Sequence, residues 1–118
     1  MKIRVIRGYV AKYPLEVFYI SKDIDCNVIP VAGMMFEDIG LVNADGQVEA
    51  VEITKVTINP VENTYYVELK QNTEQLDKTV LEQKFKNMVA DDWEYNEYQF
   101  KSFSKINIMA IIRSTLVY

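Results

Sequence analysis

Between Gln47 and Lys70, apolar residues fall at alternate positions on either side of a single turn, and this constrains the fold more than any other stretch. Val51, Ile53, Val56 and Ile58 precede Pro60-Val61-Glu62-Asn63, and Tyr65, Tyr66, Val67 and Leu69 follow it. Strict alternation puts successive side chains on opposite faces of a strand, so two such runs about a turn predict a β-hairpin. The parity changes between Ile53 and Val56, which predicts a bulge there.

Other segments extend the β reading. Ile3 and Val5 share one face of a first strand, and Lys2, Arg4 and Ile6 the other. Tyr13-Pro14 ends that strand, because proline cannot donate to a ladder. Glu16 to Ile20 is a second strand, rich in β-branched and aromatic residues. Pro30, Gly33 and Gly40 interrupt residues 28–41, leaving a short strand near 32–37, and Asn43-Ala44-Asp45-Gly46 is a turn. Tyr98-Gln99-Phe100 and Ile106-Asn107-Ile108 alternate as well, which predicts strands over 97–103 and 106–117.

One stretch departs from this pattern. Leu81, Phe85, Met88 and Val89 follow the i, i+4, i+7, i+8 spacing of a core-facing helical stripe, with Leu76 and Val80 beside it. Asn72 is a candidate N-cap, Gln75 sits in the capping-box position, and Glu74 and Asp77 would complement the helix dipole. These signals predict a helix over about 73–90, ending before Asp91-Asp92. The expected fold is α+β: a mainly antiparallel β-sheet, curved or barrel-like, with one packed helix at about 73–90. At 118 residues, the chain is expected to form a single domain, 1–118, with one core.

The composition limits the chemistry. The chain has no histidine and one cysteine, Cys26, and it lacks a glycine-rich phosphate loop. Histidine is the usual general base near neutral pH and the commonest metal ligand. Cys26 and the serines Ser21, Ser102, Ser104 and Ser114 therefore lack the ordinary activating partner. Asp23-Ile24-Asp25 could meet a hard cation, but it falls short of a calcium loop in ligand count and glycine. Asp91-Asp92 with Glu94 and Glu97 reads as a solvated turn. No metal, cofactor or catalytic residue is expected, and the chain is read as a non-enzyme. The unpaired cysteine points to a reducing compartment, and neither a secretion signal nor an apolar run of membrane-spanning length is evident. The expected location is cytoplasmic, away from membranes.

Charge is unevenly distributed. The net charge is −4, yet residues 1–13 hold four bases and no acid. Residues 14–53 hold eight acids against Lys22 alone. Such a block repels polyanions and attracts basic surfaces. Eight tyrosines, five phenylalanines and Trp93 add aromatic area of the kind that anchors interfaces. The leading expectation is a small acidic protein that occupies a protein partner, of the inhibitor, immunity or phage anti-defence type. Glu16, Glu37, Asp38, Glu49 and Glu52 are its candidate charges, with Trp93 and Tyr95 its candidate anchors. A homo-oligomer is one form such binding could take. Two other readings compete. A small-molecule or nucleotide-binding β domain would carry a pocket at the open end of the sheet. A weak single-stranded nucleic-acid binder would use Lys101, Phe103 and Lys105, although the net negative charge disfavours nucleic acid.

Overall fold

A computed structural model describes the backbone of residues 1–104 and the side chains of residues 1–100. Strands β1 (Lys2–Lys12), β2 (Glu16–Asp25), β3 (Met35–Phe36), β4 (Val51–Asn59), β5 (Thr64–Leu69) and β6 (Gln75–Asp77) precede helix α1 (Lys78–Val89) and a 3₁₀ helix, Glu97–Ser104. The sheet order is β2-β1-β5-β4-β3, with β6 also on β1, and the sheet curls into a half-barrel.

The expected hairpin is present. β4 and β5 pair antiparallel from Ile53–Leu69 to Asn59–Thr64, with a register shift between Ile53 and Lys55 where the apolar parity changes. At the turn, Asn59 Oδ1 accepts hydrogen bonds from the Val61 and Glu62 amides, and Asn63 takes φ +51°. β1 and β2 form a second antiparallel hairpin, from Lys2–Asp25 to Ala11–Glu16.

The sheet is mixed, where the sequence predicted a mainly antiparallel one. β1 runs parallel to β5, from Lys2–Thr64 to Ile6–Glu68, and parallel to β6, from Val10–Gln75 to Lys12–Asp77. Alternation and turn residues specify pairing between neighbours in sequence, and they say nothing about which distant strand takes the second edge of β1. β6 also corrects the helix start. Residues 75–77 gain ladder bonds to β1, so α1 begins at Lys78 and Asp77 occupies the N-cap position without a side-chain cap. Asn72 closes a turn, accepting from the Glu74 amide at 2.8 Å.

The core lies between the concave face of the sheet and α1. β1 contributes Ile3, Val5, Tyr9 and Ala11, β2 contributes Phe18 and Ile20, and the β4–β5 hairpin contributes Val51, Ile53, Val67 and Leu69. α1 buries Leu81, Phe85 and Met88, whereas Val89 is half exposed at the edge of the stripe and the last position of the helix. Phe85 contacts Tyr9, Tyr95 and Phe100 edge to face, with centroids 5.1–5.4 Å apart.

The tail also departs from expectation. Residues 97–104 form a 3₁₀ helix and not a strand. Asn96 Oδ1 accepts from the Tyr98 amide, and the Gln99 side chain pairs with Tyr19, accepting from its amide at 2.8 Å and donating to its carbonyl at 2.7 Å. That amide occupies the free edge of β2, where a further strand would otherwise bind. Phe100 is buried and Tyr98 exposed, so the two do not share a core face. The strand expected over 106–117 lies outside the described residues. No described helix is long and apolar enough to cross a membrane.

Phe85 is fully buried at the centre of the ring cluster. Phe85→Ala is expected to destabilise the protein by roughly 3–5 kcal/mol, through lost transfer energy and a residual cavity. Urea unfolding of the two proteins side by side checks this; an unchanged midpoint would mean that α1 does not depend on this ring.

Candidate functional site

After β2 the chain enters a segment that neither strand nor helix periodicity describes. Val28, Ile29, Val31, Met34 and Met35 are exposed there at 57, 58, 56, 40 and 58%. The backbone beneath them is tied down. The Cys26 amide donates to Met1 O, and Met34 N closes a tight turn on Val31 O at 3.1 Å. Gly33 takes φ +95° in that turn, a conformation only glycine adopts without strain. Gly33 N donates to Ile53 O and Ile53 N to Met34 O, both at 2.8 Å. β3 then pairs Met35 with Glu52 and Phe36 with Val51. β4 thus ties down the Gly33–Phe36 end of the segment, while the Val28 and Val31 amides donate to Cys26 Sγ and Met34 Sδ, and the apolar side chains remain exposed. Five large apolar side chains exposed within residues 28–35 make this segment a candidate interaction surface.

Two of the expected charges border this loop. Glu52 is exposed opposite Met35, and Glu37 is exposed directly after β3. Asp38 follows Glu37, but its carboxylate turns inward. It receives Lys22 Nζ on Oδ1, and Gly40 N and Trp93 Nε1 on Oδ2, each at 2.8 Å. The side chains of Lys22 and Asp38 are only 13 and 12% exposed. Glu49 also turns inward, onto Arg7 at 3.2 Å. Glu16 lies half buried at the start of β2, away from the loop along the sheet.

The expected aromatic anchors are not on this surface. Trp93 is 1% exposed, so it closes the end of the core and presents no ring to a partner in this conformation. Its indole packs so closely over Gly40 that a Cβ there would lie 2.7 Å from Cδ1. Tyr95 is half buried against Phe85 and Phe100. Of the residues of the alternative nucleic-acid face, Lys101 and Phe103 fall in the backbone of the 3₁₀ helix, and Lys105 lies outside the described residues. Asp23 is held by Arg4 at 2.7 Å and Lys2 at 3.4 Å. The apolar loop was missed because Pro30 and Gly33 break its periodicity. The signal that would have found it is five large apolar residues in a stretch with no period to bury them.

Comparison with known protein families, with curated proteins and with solved structures finds no match. The site therefore rests on its own geometry.

Burial pushes the Asp38 carboxyl up, but the hydrogen bonds from Lys22, Gly40 and Trp93, with the Lys22 charge, outweigh it and leave the group below its ordinary value. A group depressed in the fold adds stability above the unfolded carboxyl's pKa, and loses it as pH falls through the folded value. Asp38→Asn is expected to cost on the order of 1–3 kcal/mol at neutral pH, mostly by leaving Lys22 without its carboxylate. It should also flatten the loss of stability as pH falls through the carboxylate range. Urea unfolding at neutral pH and at pH values spanning that range checks both; equal slopes in the two proteins would remove Asp38 from the acid response.

Proposed function

We propose that this is a non-enzymatic binding protein that docks its Val28–Met35 loop into an apolar groove on a partner protein, with basic residues of the partner meeting Glu37 and Glu52. The observation that carries this reading is the exposure of five large apolar side chains on a segment whose Gly33–Phe36 end is hydrogen-bonded to β4. A pre-ordered loop loses little conformational entropy on binding, which is where much of the cost of association lies. Methionines at such a surface adapt to an irregular partner.

The choice of a basic partner rests on charge. Residues 14–53 contain a single base, Lys22, and it is engaged by Asp38. A partner with lysine or arginine around an apolar groove meets no cation in this stretch that would oppose it. Rim charges of this kind act through steering and partner choice more than through affinity. The absence of histidine, with one cysteine, makes a binding role simpler than catalysis.

The test compares the wild type with Val31→Asp/Met34→Asp, both verified as folded by circular dichroism. Each is used to capture partners from the native host, and the recovered partner is then measured by surface plasmon resonance. The double variant is expected to lose at least about 30-fold in affinity, the scale of a hot-spot loss of 2 kcal/mol or more. Glu37→Lys and Glu52→Lys should instead slow association and flatten its salt dependence. Equal capture and kinetics from the double variant would overturn the reading. If sedimentation shows the wild type self-associating and the double variant monomeric, the loop's occupant is a second copy of this chain.

A further inference from the structure

The same parity that buries Ile3, Val5, Tyr9 and Ala11 places Arg7 on the concave side of β1, 6% exposed. A buried guanidinium is costly unless its donors are satisfied. Arg7 Nε donates to Lys70 O at 3.2 Å, and Nη1 donates to Tyr9 Oη at 3.1 Å and Glu49 Oε1 at 3.2 Å. Among the described residues Nη2 has no partner, and no fully buried side-chain nitrogen or oxygen is left unsatisfied. Nη2 therefore keeps contact with solvent, and a cleft of about 660 Å³ that Arg7 lines provides it.

The topology creates this cleft. Between the Ile6–Glu68 and Val10–Gln75 pairings, β1 advances four residues and the opposing chain seven, so the strand edge opens at residues 70–74. The outgoing segment, the start of β4 and the side of α1 form the walls. From α1, Lys84 reaches the same place. Among the described residues its ammonium makes a single long bond, 3.4 Å to Val42 O, and it lies 5.4 Å from the Tyr9 ring centroid, while Arg7 Cζ lies 5.0 Å from it. Both cations thus lie against one tyrosine ring, and Glu49 is hydrogen-bonded to Arg7. Burial, and then repulsion from Arg7, hold the Lys84 ammonium below its ordinary value; Glu49 and Glu74 oppose this without cancelling it.

We propose that this cleft binds a small oxyanion, a carboxylate or a phosphate ester, between Arg7 Nη2 and the Lys84 ammonium. The volume suits a metabolite-sized molecule. Arg7 Nη2 gives a charge-assisted hydrogen bond to one anion oxygen, and the partly desolvated Lys84 ammonium gains a counter-ion. Arg7, Lys70 and Lys84 line the cleft together with Glu49, Glu52 and Glu74, so selection of an anion there depends on where the Arg7 and Lys84 donors stand and not on a net positive charge. Glu49 already occupies part of the guanidinium and acts as an internal competitor for the incoming anion. This proposal does not rest on the docking loop, although Met35 belongs to that loop and also lines the cleft, and the two are tested by different experiments.

The test is a titration with inorganic phosphate and, separately, with glutarate, at constant ionic strength, following the Arg7 Nε–H and Lys84 Nζ resonances by nuclear magnetic resonance. Saturable shifts are expected with at least one probe, and which probe saturates identifies the acid class. Lys84→Gln should weaken binding at least 10-fold. Glu49→Gln should tighten it several-fold, a gain that non-specific anion binding would not give, and Lys55→Gln on the outer surface should leave it unchanged. The absence of a saturable shift in the wild type with either probe overturns the proposal, as does equal binding by the wild type, Lys84→Gln and Glu49→Gln. If either variant fails to fold, the wild-type resonances alone decide.

Discussion

β1 hydrogen-bonds along both edges, and the positions of most other elements follow from that. On one side it takes β2 as a local hairpin partner over its whole length. On the other it takes β5 for its first half and β6 for its last three residues, both parallel. Local pairing closes a short loop, whereas setting Lys2 against Thr64 closes a long one and must be repaid by burial. The repayment is visible in the side chains: Ile3, Val5, Tyr9 and Ala11 are all nearly inaccessible. Because β6 leads directly into α1, the β1–β6 pairing also fixes where the helix lands and which of its faces meets Tyr9.

The acidic block acts less as a surface than its sequence implies. Asp23, Asp38 and Glu49 are each drawn to a base, and the three pairs differ in kind. Arg4–Asp23 lies in the open and contributes little. Lys22–Asp38 is nearly buried and coupled to Trp93 and Gly40, so it sets how the loop after β3 meets the end of the core. Arg7–Glu49 sits at the wall of a cleft, and only part of the guanidinium is used. The charges left to face a partner beside the apolar loop are Glu37 and Glu52.

What the sequence revealed follows from which interactions are local. The β4–β5 hairpin, its bulge near Thr54 and the Leu81–Phe85–Met88 stripe are all encoded by spacing within a few residues, and they were legible. The parallel edge of β1 was not, because no spacing in Lys2–Lys12 names Thr64–Leu69 as a neighbour. The helix start was misplaced for the same reason: Asn72 and Gln75 form a plausible capping box, but ladder bonds to β1 claimed residues 75–77 first. At 97–103 the Tyr98–Phe100 alternation was overridden by Asn96 and Gln99, whose side-chain amides bond the backbone of a turn and of β2. Of the candidate site residues, Glu37 and Glu52 border the exposed loop. The burial of Trp93 was not legible, because an acidic neighbourhood in sequence gives no sign that its indole has a carboxylate partner as far away as Asp38.

The exposed apolar loop and the cleft share a wall. Met35 lies on the loop and lines the cleft, and Glu52, its pairing partner on β4, lines the cleft as well. The shared wall also carries a thermodynamic consequence. Were a ligand in the cleft to displace Met35, the affinity of the loop for a docked protein would change, and by linkage that protein would change the ligand's affinity by the same factor. The Met35–Glu52 pairing of β3 with β4 is where such a coupling would pass.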